Sequence, residues 1–209
     1  MSKQSAIIVP DGCTRVLLHA CCAPCSSAIV EWLLAHEIEP VIYYYNPNIY
    51  PREEYEIRKN ESKRHAEALG ITWIDDDYDH EAWRCTVTGL EHEPERGKRC
   101  EACFYHRLLK TAQKAKELGI PYFATTLASS RWKNLEQINA AGLKAQRSLI
   151  PNSLIPNPLF LAQNWRKDGL QERRNALLKE YGFYNQLYCG CEFSMARNTG
   201  STEGSSPTA

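Results

Sequence analysis

The chain has 209 residues, of which 43% are hydrophobic and 24% charged, with 25 Lys/Arg balancing 25 Asp/Glu. This composition can bury a core and is not that of a disordered chain. No apolar run approaches the roughly 20 residues that span a bilayer, which excludes a transmembrane helix. The zero net charge hides a split. Residues 1–94 carry 8 Lys/Arg against 16 Asp/Glu, and residues 95–185 carry 16 against 7. A basic half points weakly to an anionic partner, ordinary solvated helix faces being the alternative. The opening MSKQSAIIVPDG has only a short apolar stretch before Pro10 and Asp11. It is too weak for an export signal, so a cytoplasmic protein without a membrane partner is expected.

In chain order, RVLLHA (15–20) reads as a buried strand that runs into the turn CCAPC. Apolar residues Ile29, Trp32, Leu33 and Ile38 then give helical spacing over 26–38. PVIYYYN (40–46) is a β-branched and aromatic strand. From Pro51, an exposed helix with early acids runs to Gly70. ITWI (71–74) is a short strand, followed by an acidic loop (75–83) and a long polar loop (84–99). A helix over 101–119 places Cys103, Phe104, Leu108, Ala112, Ala115 and Leu118 near one face. YFATTL (122–127) is a strand and 134–147 a helix. A Pro/Asn-rich loop (151–158) leads to a short apolar run, and a last helix covers 168–182.

Strand and helix alternate at least four times. The expected fold is therefore α/β, a Rossmann-like three-layer sandwich on a mainly parallel sheet. Its ligand site belongs at the C-terminal edge of the strands, where the loops after His19, Asn46, Asp75 and Thr126 should emerge. Residues 1–194 read as one domain and 195–209 as a disordered polar tail.

Nine cysteines without an export signal argue against a disulfide framework. Seven fall in three clusters: Cys21, Cys22 and Cys25; Cys100 and Cys103, straddling a helix start; and Cys189 and Cys191 in YCGC. A short spacer lets one backbone turn aim two sulfurs at one metal, and a helix N-terminus favours thiolate. Seven thiols exceed the four of a tetrahedral zinc and the two of a dithiol enzyme. Their number suits an iron–sulfur cluster with a second metal or redox thiols beside it. A zinc-stabilised nucleic-acid-binding module and a dithiol oxidoreductase using Cys22 and Cys25 are the rival readings. Cys13 and Cys85 stand alone and carry no expectation. The acids Asp75, Asp76, Asp77 and Asp79 read as a solvated loop or as carboxylate ligands and proton donors, and His19 as a ligand, an acid or a core histidine. No phosphate-cradling motif follows the first strand, so nucleotide binding is not supported.

LLHACCAPCSSAIVEWL, YYNPNIYPREEYEIR, EHEPERGKRCEACFYHRL, FATTLASSRWKN and YCGCEFS together resemble the QueH-type epoxyqueuosine reductases, from about Arg15 to Ser194. The resemblance implies a cobalamin-independent oxidoreductase that reduces the epoxide of epoxyqueuosine in tRNA to queuosine. It implies a 4Fe–4S cluster, with an additional iron suggested beside it, held by cysteines and an aspartate. Carried over, the ligands are Cys21, Cys22, Cys100, Cys103, Cys189 and Cys191, with Cys25 in the same motif and Asp79 as the aspartate. The chain departs from the family pattern at Ser130-Arg131-Trp132 and at Tyr184-Asn185-Gln186.

Turning an epoxide into an alkene takes two electrons and releases the oxygen as water. An open metal position would bind that oxygen, and Asp77, His19 or Tyr78 would protonate it. An unidentified electron donor supplies the electrons. For the tRNA, Arg96, Lys98, Arg99, Arg107, Arg131, Lys133, Arg166 and Lys167 are expected phosphate contacts. Trp132 and Trp165 would stack on splayed bases, unless they are core anchors, at roughly 1–3 kcal/mol each.

Overall fold

The computed structural model describes residues 7–150 and 154–194. The expected disordered tail lies outside them. Five strands form one sheet: β1 (Arg15–His19), β2 (Glu39–Tyr44), β3 (Trp73–Asp75), β4 (Tyr122–Thr125) and β5 (Leu159–Phe160). Their order is β3-β2-β1-β4-β5, and every pairing is parallel. Six helices connect them: α1 (Ala23–Ala35), α2 (Arg52–Ala68), α3 (His80–Thr86), α4 (Lys98–Glu117), α5 (Leu135–Arg147) and α6 (Leu170–Glu180). α1 packs against α2 and α6, whereas α4 packs against α5, so two helical groups flank the sheet. The expected α/β architecture is borne out.

The central strand carries the core. Val16, Leu17, Leu18 and His19 of β1 are all fully buried, a continuous run rather than an alternation, because both faces of a parallel sheet are covered. Chain order reverses between β1 and β4, which lie side by side with Leu17 opposite Phe123 and His19 opposite Thr125. The segments that leave these two strands diverge, and a crevice opens between them at the C-terminal edge. At the far edge α5 sits directly on β5. A Cβ on Gly142 would fall 2.3 Å from the Phe160 ring, so only glycine permits this approach.

Three elements differ from the sequence expectation. α1 starts at Ala23, immediately behind Cys22, because Pro24 suits the first helical turn. α4 starts at Lys98 behind Gly97, so Cys100 and Cys103 both lie inside its first turns rather than astride its start. α3 occupies part of the expected acidic and polar loops. Asp79 caps it by accepting from the Ala82 N–H at 3.0 Å, and fully buried Trp83 anchors it. A seven-residue helix shows too few turns to produce a periodic apolar pattern.

Candidate metal centre

Two groups of thiols meet at the crevice. The first follows β1. Cys21, Cys22 and Cys25 are buried, and their three sulfurs lie within 4.8 Å of one another. The turn into α1 imposes this: Cys22 is the N-cap and Cys25 lies in the first turn, so the sulfurs gather at the positive end of the helix. The neighbouring strand contributes a brace. Thr126, just past β4, accepts from the Cys21 N–H at 3.2 Å and donates its hydroxyl to Cys21 Sγ at 3.4 Å. From the C-terminal segment, Gln186 Nε2 donates to Cys22 Sγ at 3.2 Å. S–H donation from Cys22 and then Cys25 holds Cys21 well below the usual thiol range, whereas Cys22 is pushed up because its proton is the one donated to Cys21.

The second group lines a cavity that opens to solvent. Cys100 and Cys103 come from α4, and Cys189 and Cys191 from the C-terminal segment. These four sulfurs do not converge as closely as the first three; the triad is the only set of such groups within 4.8 Å among the described residues. The Arg96 N–H donates to Cys100 Sγ at 3.2 Å. Donation from Cys191 lowers Cys189 to about 5, and burial raises Cys100 to about 11. Gly190 makes the C-x-C turn at φ +97, a region that disfavours side chains. The Tyr50 N–H binds its carbonyl at 2.8 Å, and Ile49 bridges Cys191.

The rest of the cavity wall has a distinctive chemistry. Arg99 and Arg107 are 1% and 2% exposed, yet their hydrogen-bond partners are carbonyl and amide oxygens, not carboxylates. Arg99 Nε and Nη2, Arg107 Nε, Trp83 Nε1 and Asn48 Oδ1 are buried without a hydrogen-bond partner. A buried cation with idle donors is costly unless an anion faces it. Lys133 also lies on this wall, and its charge bears on both Cys189 and Cys21.

All seven clustered cysteines therefore sit in the two groups, and Cys13 and Cys85 remain apart as free thiols. The expected acids are placed differently. His19 is fully buried, with Nδ1 2.8 Å from Thr125 Oγ1 and Nε2 3.1 Å from the Tyr45 carbonyl. A carbonyl only accepts, so Nε2 carries the proton. Burial, helped by the Arg107 charge, lowers the ring to about 3 and keeps it neutral. Tyr78 donates its hydroxyl to the Ile49 carbonyl at 2.6 Å. Asp79 serves as the cap of α3. Neither Asp77, Tyr78 nor Asp79 lines the four-thiol cavity or joins the triad.

Two of the expected phosphate contacts are corrected, since Arg99 and Arg107 are interior. Trp165 takes its core-anchor alternative, 1% exposed with its ring edge against Trp32. Trp132, by contrast, is 79% exposed at the cavity wall. Sequence reasoning gave no site role to Trp83, Thr126, Gln186 or Asn48, naming Thr126 only as the start of a loop at the ligand edge and Gln186 only within a departure from the family pattern, and Lys133 was read only as a phosphate contact. Two of them had a visible signal, since Thr126 ends a strand at the expected ligand edge and Gln186 lies three residues before YCGC. Nothing in the sequence marked the other two.

Comparison with known proteins identifies the family. The family profile described as epoxyqueuosine reductase QueH matches residues 16–197. A relative of that name from Haemophilus influenzae is 45% identical over 187 residues, covering 90% of this chain and 74% of the relative. One from Acinetobacter baylyi is 44% identical over 196 residues, covering 93% and 87%. One from Thermotoga maritima is 34% identical over 183 residues, covering 86% and 90%.

Proposed function

The chain belongs to the epoxyqueuosine reductase QueH family, and from that membership we propose how its residues carry the activity. The protein is an oxidoreductase that reduces epoxyqueuosine, and its substrate is that nucleoside in tRNA. Two electrons from an external reductant and two protons convert the epoxide to an alkene and water.

The donor set fits a 4Fe–4S cluster. Cys100, Cys103, Cys189 and Cys191 would hold it in the cavity, and the compact Cys21–Cys22–Cys25 triad would hold an additional iron. The observation that carries this reading is the pair of buried arginines without carboxylate partners, facing four thiols. An anionic thiolate cluster is the partner that such a wall lacks, and idle N–H donors are the groups that bond to cluster sulfurs. Such metals supply single electrons and a Lewis-acidic position for an oxygen.

The chain's own residues do the rest. Burial keeps water from Cys21, Cys22, Cys25, Cys103 and Cys191. Arg99 and Arg107 offset negative charge on the cavity wall, and Asn48 Oδ1 is free to accept from a substrate hydroxyl. The departing oxygen takes its proton from Lys133 Nζ, which bears on both thiol groups, rather than from His19, Asp77 or Tyr78. Residues 1–194 act as one catalytic unit. A cytoplasmic setting, where thiols stay reduced, suits nine free cysteines.

The test is anaerobic purification followed by iron and sulfide analysis, with spectra before and after dithionite, and then assay on epoxyqueuosine-containing tRNA. Iron with matching sulfide, a band that bleaches on reduction and conversion to queuosine are expected. A colourless protein holding stoichiometric zinc after reconstitution would overturn the cluster reading.

A further inference from the structure

An indole in water is an expense that a fold normally avoids, and here the fold takes trouble to keep one there. Trp132 sits on the loop between β4 and α5, 79% exposed, at the wall of the four-thiol cavity. Two guanidinium groups from different segments grip four consecutive carbonyls of that loop. Arg166 Nη2 donates to the carbonyls of Ser130 at 2.6 Å and Lys133 at 2.9 Å. Arg96 Nε donates to that of Trp132 at 2.8 Å, and its Nη2 to that of Arg131 at 3.4 Å. The backbone around the indole is thus fixed, while the ring itself is left without cover.

Arg96 also sets where the indole stands. Its own N–H donates to Cys100 Sγ, and its carbonyl accepts from Gln137 Nε2 at 2.6 Å. Its φ is +65, a conformation that non-glycine residues seldom adopt without a constraint. One residue therefore ties the backbone of Trp132 to a sulfur of the metal cavity. Arg96 and Lys133 supply positive charge on this wall, against Glu95.

We propose that Trp132 is the stacking platform for the heterocycle of the modified nucleoside, presented as a splayed base of a single-stranded RNA loop so that its epoxide-bearing arm enters the cavity. Arg96 is a positioning residue that registers this platform to the thiols. The inference rests on the tRNA substrate of the reading above. Stacking suits the task, because an aromatic face holds a base in plane without consuming its edge.

The experiment uses anticodon stem-loop RNA with guanosine at the wobble position, and the same RNA made abasic there. Binding is measured by fluorescence anisotropy on metal-free and reconstituted protein. Trp132→Ala should weaken binding of the base-bearing RNA by about 5- to 150-fold, the worth of one stacked base. Trp132→Phe should stay within about threefold of wild type. The abasic RNA should bind wild type and Trp132→Ala alike, and the salt dependence should not change, since no ion contact is lost. Iron content and spectrum of Trp132→Ala should match wild type. Arg96→Ala should raise KM on the substrate tRNA with kcat held within about twofold. Trp132→Ala that still discriminates base-bearing from abasic RNA as wild type does would overturn the proposal. Wild-type protein that fails to reduce epoxyqueuosine in tRNA would overturn the underlying reading instead, so the two failures are distinguishable.

Discussion

Replacing Gly190 with alanine probes the turn that aims Cys189 and Cys191. The residue holds φ +97, and an added Cβ would lie 2.9 Å from Ile49 Cγ1 and 3.1 Å from Arg58 Nη1. Neither neighbour can swing away. Ile49 is 1% exposed, and Arg58 is buried and held by Glu54 through a 2.7 Å bond from its Nε. A left-handed conformation costs an alanine about 1–2 kcal/mol, and overpacking about 1–3 kcal/mol more. Together they predict a loss of about 2–5 kcal/mol, and at 2–4 °C per kcal/mol for a chain of this size Tm should fall by about 4–20 °C. The assay is thermal unfolding of the metal-free protein, with iron per chain after reconstitution as a second readout. Because the strain falls between two of the proposed ligand cysteines, iron loading should drop as well. A Gly190→Ala protein with wild-type Tm and full iron would show that the turn tolerates a side chain, and would refute the close-approach argument.

Exchanging the cysteines should separate the two thiol groups. Cys100→Ala and Cys189→Ala should lose both sulfide and the visible band, whereas Cys22→Ala should lower iron but keep sulfide; equal sulfide loss in all three, by iron and sulfide analysis, would reject the division. Thr126→Val keeps the shape but leaves the buried Cys21 N–H unpaired. It should cost about 1–3 kcal/mol in denaturant unfolding, and a change under about 0.3 kcal/mol would mean the brace is idle. His65 predicts a pH effect away from the metals. It is 5% exposed, with ring edges against Tyr181 and Phe183, and burial lowers it below 6.5 despite Glu31 nearby, with Arg64 adding to the lowering. Below pH 6.5 the unfolded chain gains a proton that the fold resists, so stability should fall with pH by up to about 1.4 kcal/mol per unit from this group. His65→Leu should flatten the pH dependence by that amount, and an unchanged slope would exclude the residue.

The parallel sheet was legible because its strands are short apolar runs bounded by glycine, proline and asparagine, and because each is followed by a helical period. The thiol clusters were legible because a metal needs its ligands a residue or two apart on one turn. What sequence could not carry is how distant segments face one another. Arg99 and Arg107 look like any basic residues of a nucleic-acid face, yet α4 turns both inward onto the cavity. Trp132 and Trp165 have equivalent basic surroundings in the sequence, and burial separates them completely. Asp79 was singled out as a ligand only from the family resemblance, and its position before a short helix anchored by Trp83, where it serves as a cap, had no signal in the sequence.

The distribution of the proposed ligands over the chain has a thermodynamic consequence. The triad belongs to the first βα turn, but its Cys22 sulfur is bonded by Gln186, 164 residues away. The four-thiol cavity takes two thiols from α4 and two from the same C-terminal segment that carries Gln186. That segment is held to the body by Tyr50 on Gly190, by the Ile49–Cys191 bridge and by Arg58 on the Tyr188 carbonyl at 3.2 Å. The four-thiol group is therefore incomplete, and the triad lacks its Gln186 hydrogen bond, until residues 186–191 have docked. A metal that binds only the assembled site stabilises the docked state by its own binding free energy. The reverse also holds, since whatever loosens Ile49, Arg58 or Gly190 weakens metal affinity without touching a ligand. Metal loading and closure of the C-terminal segment are in this sense one equilibrium, and protease resistance of residues 186–191 should rise with iron content in parallel.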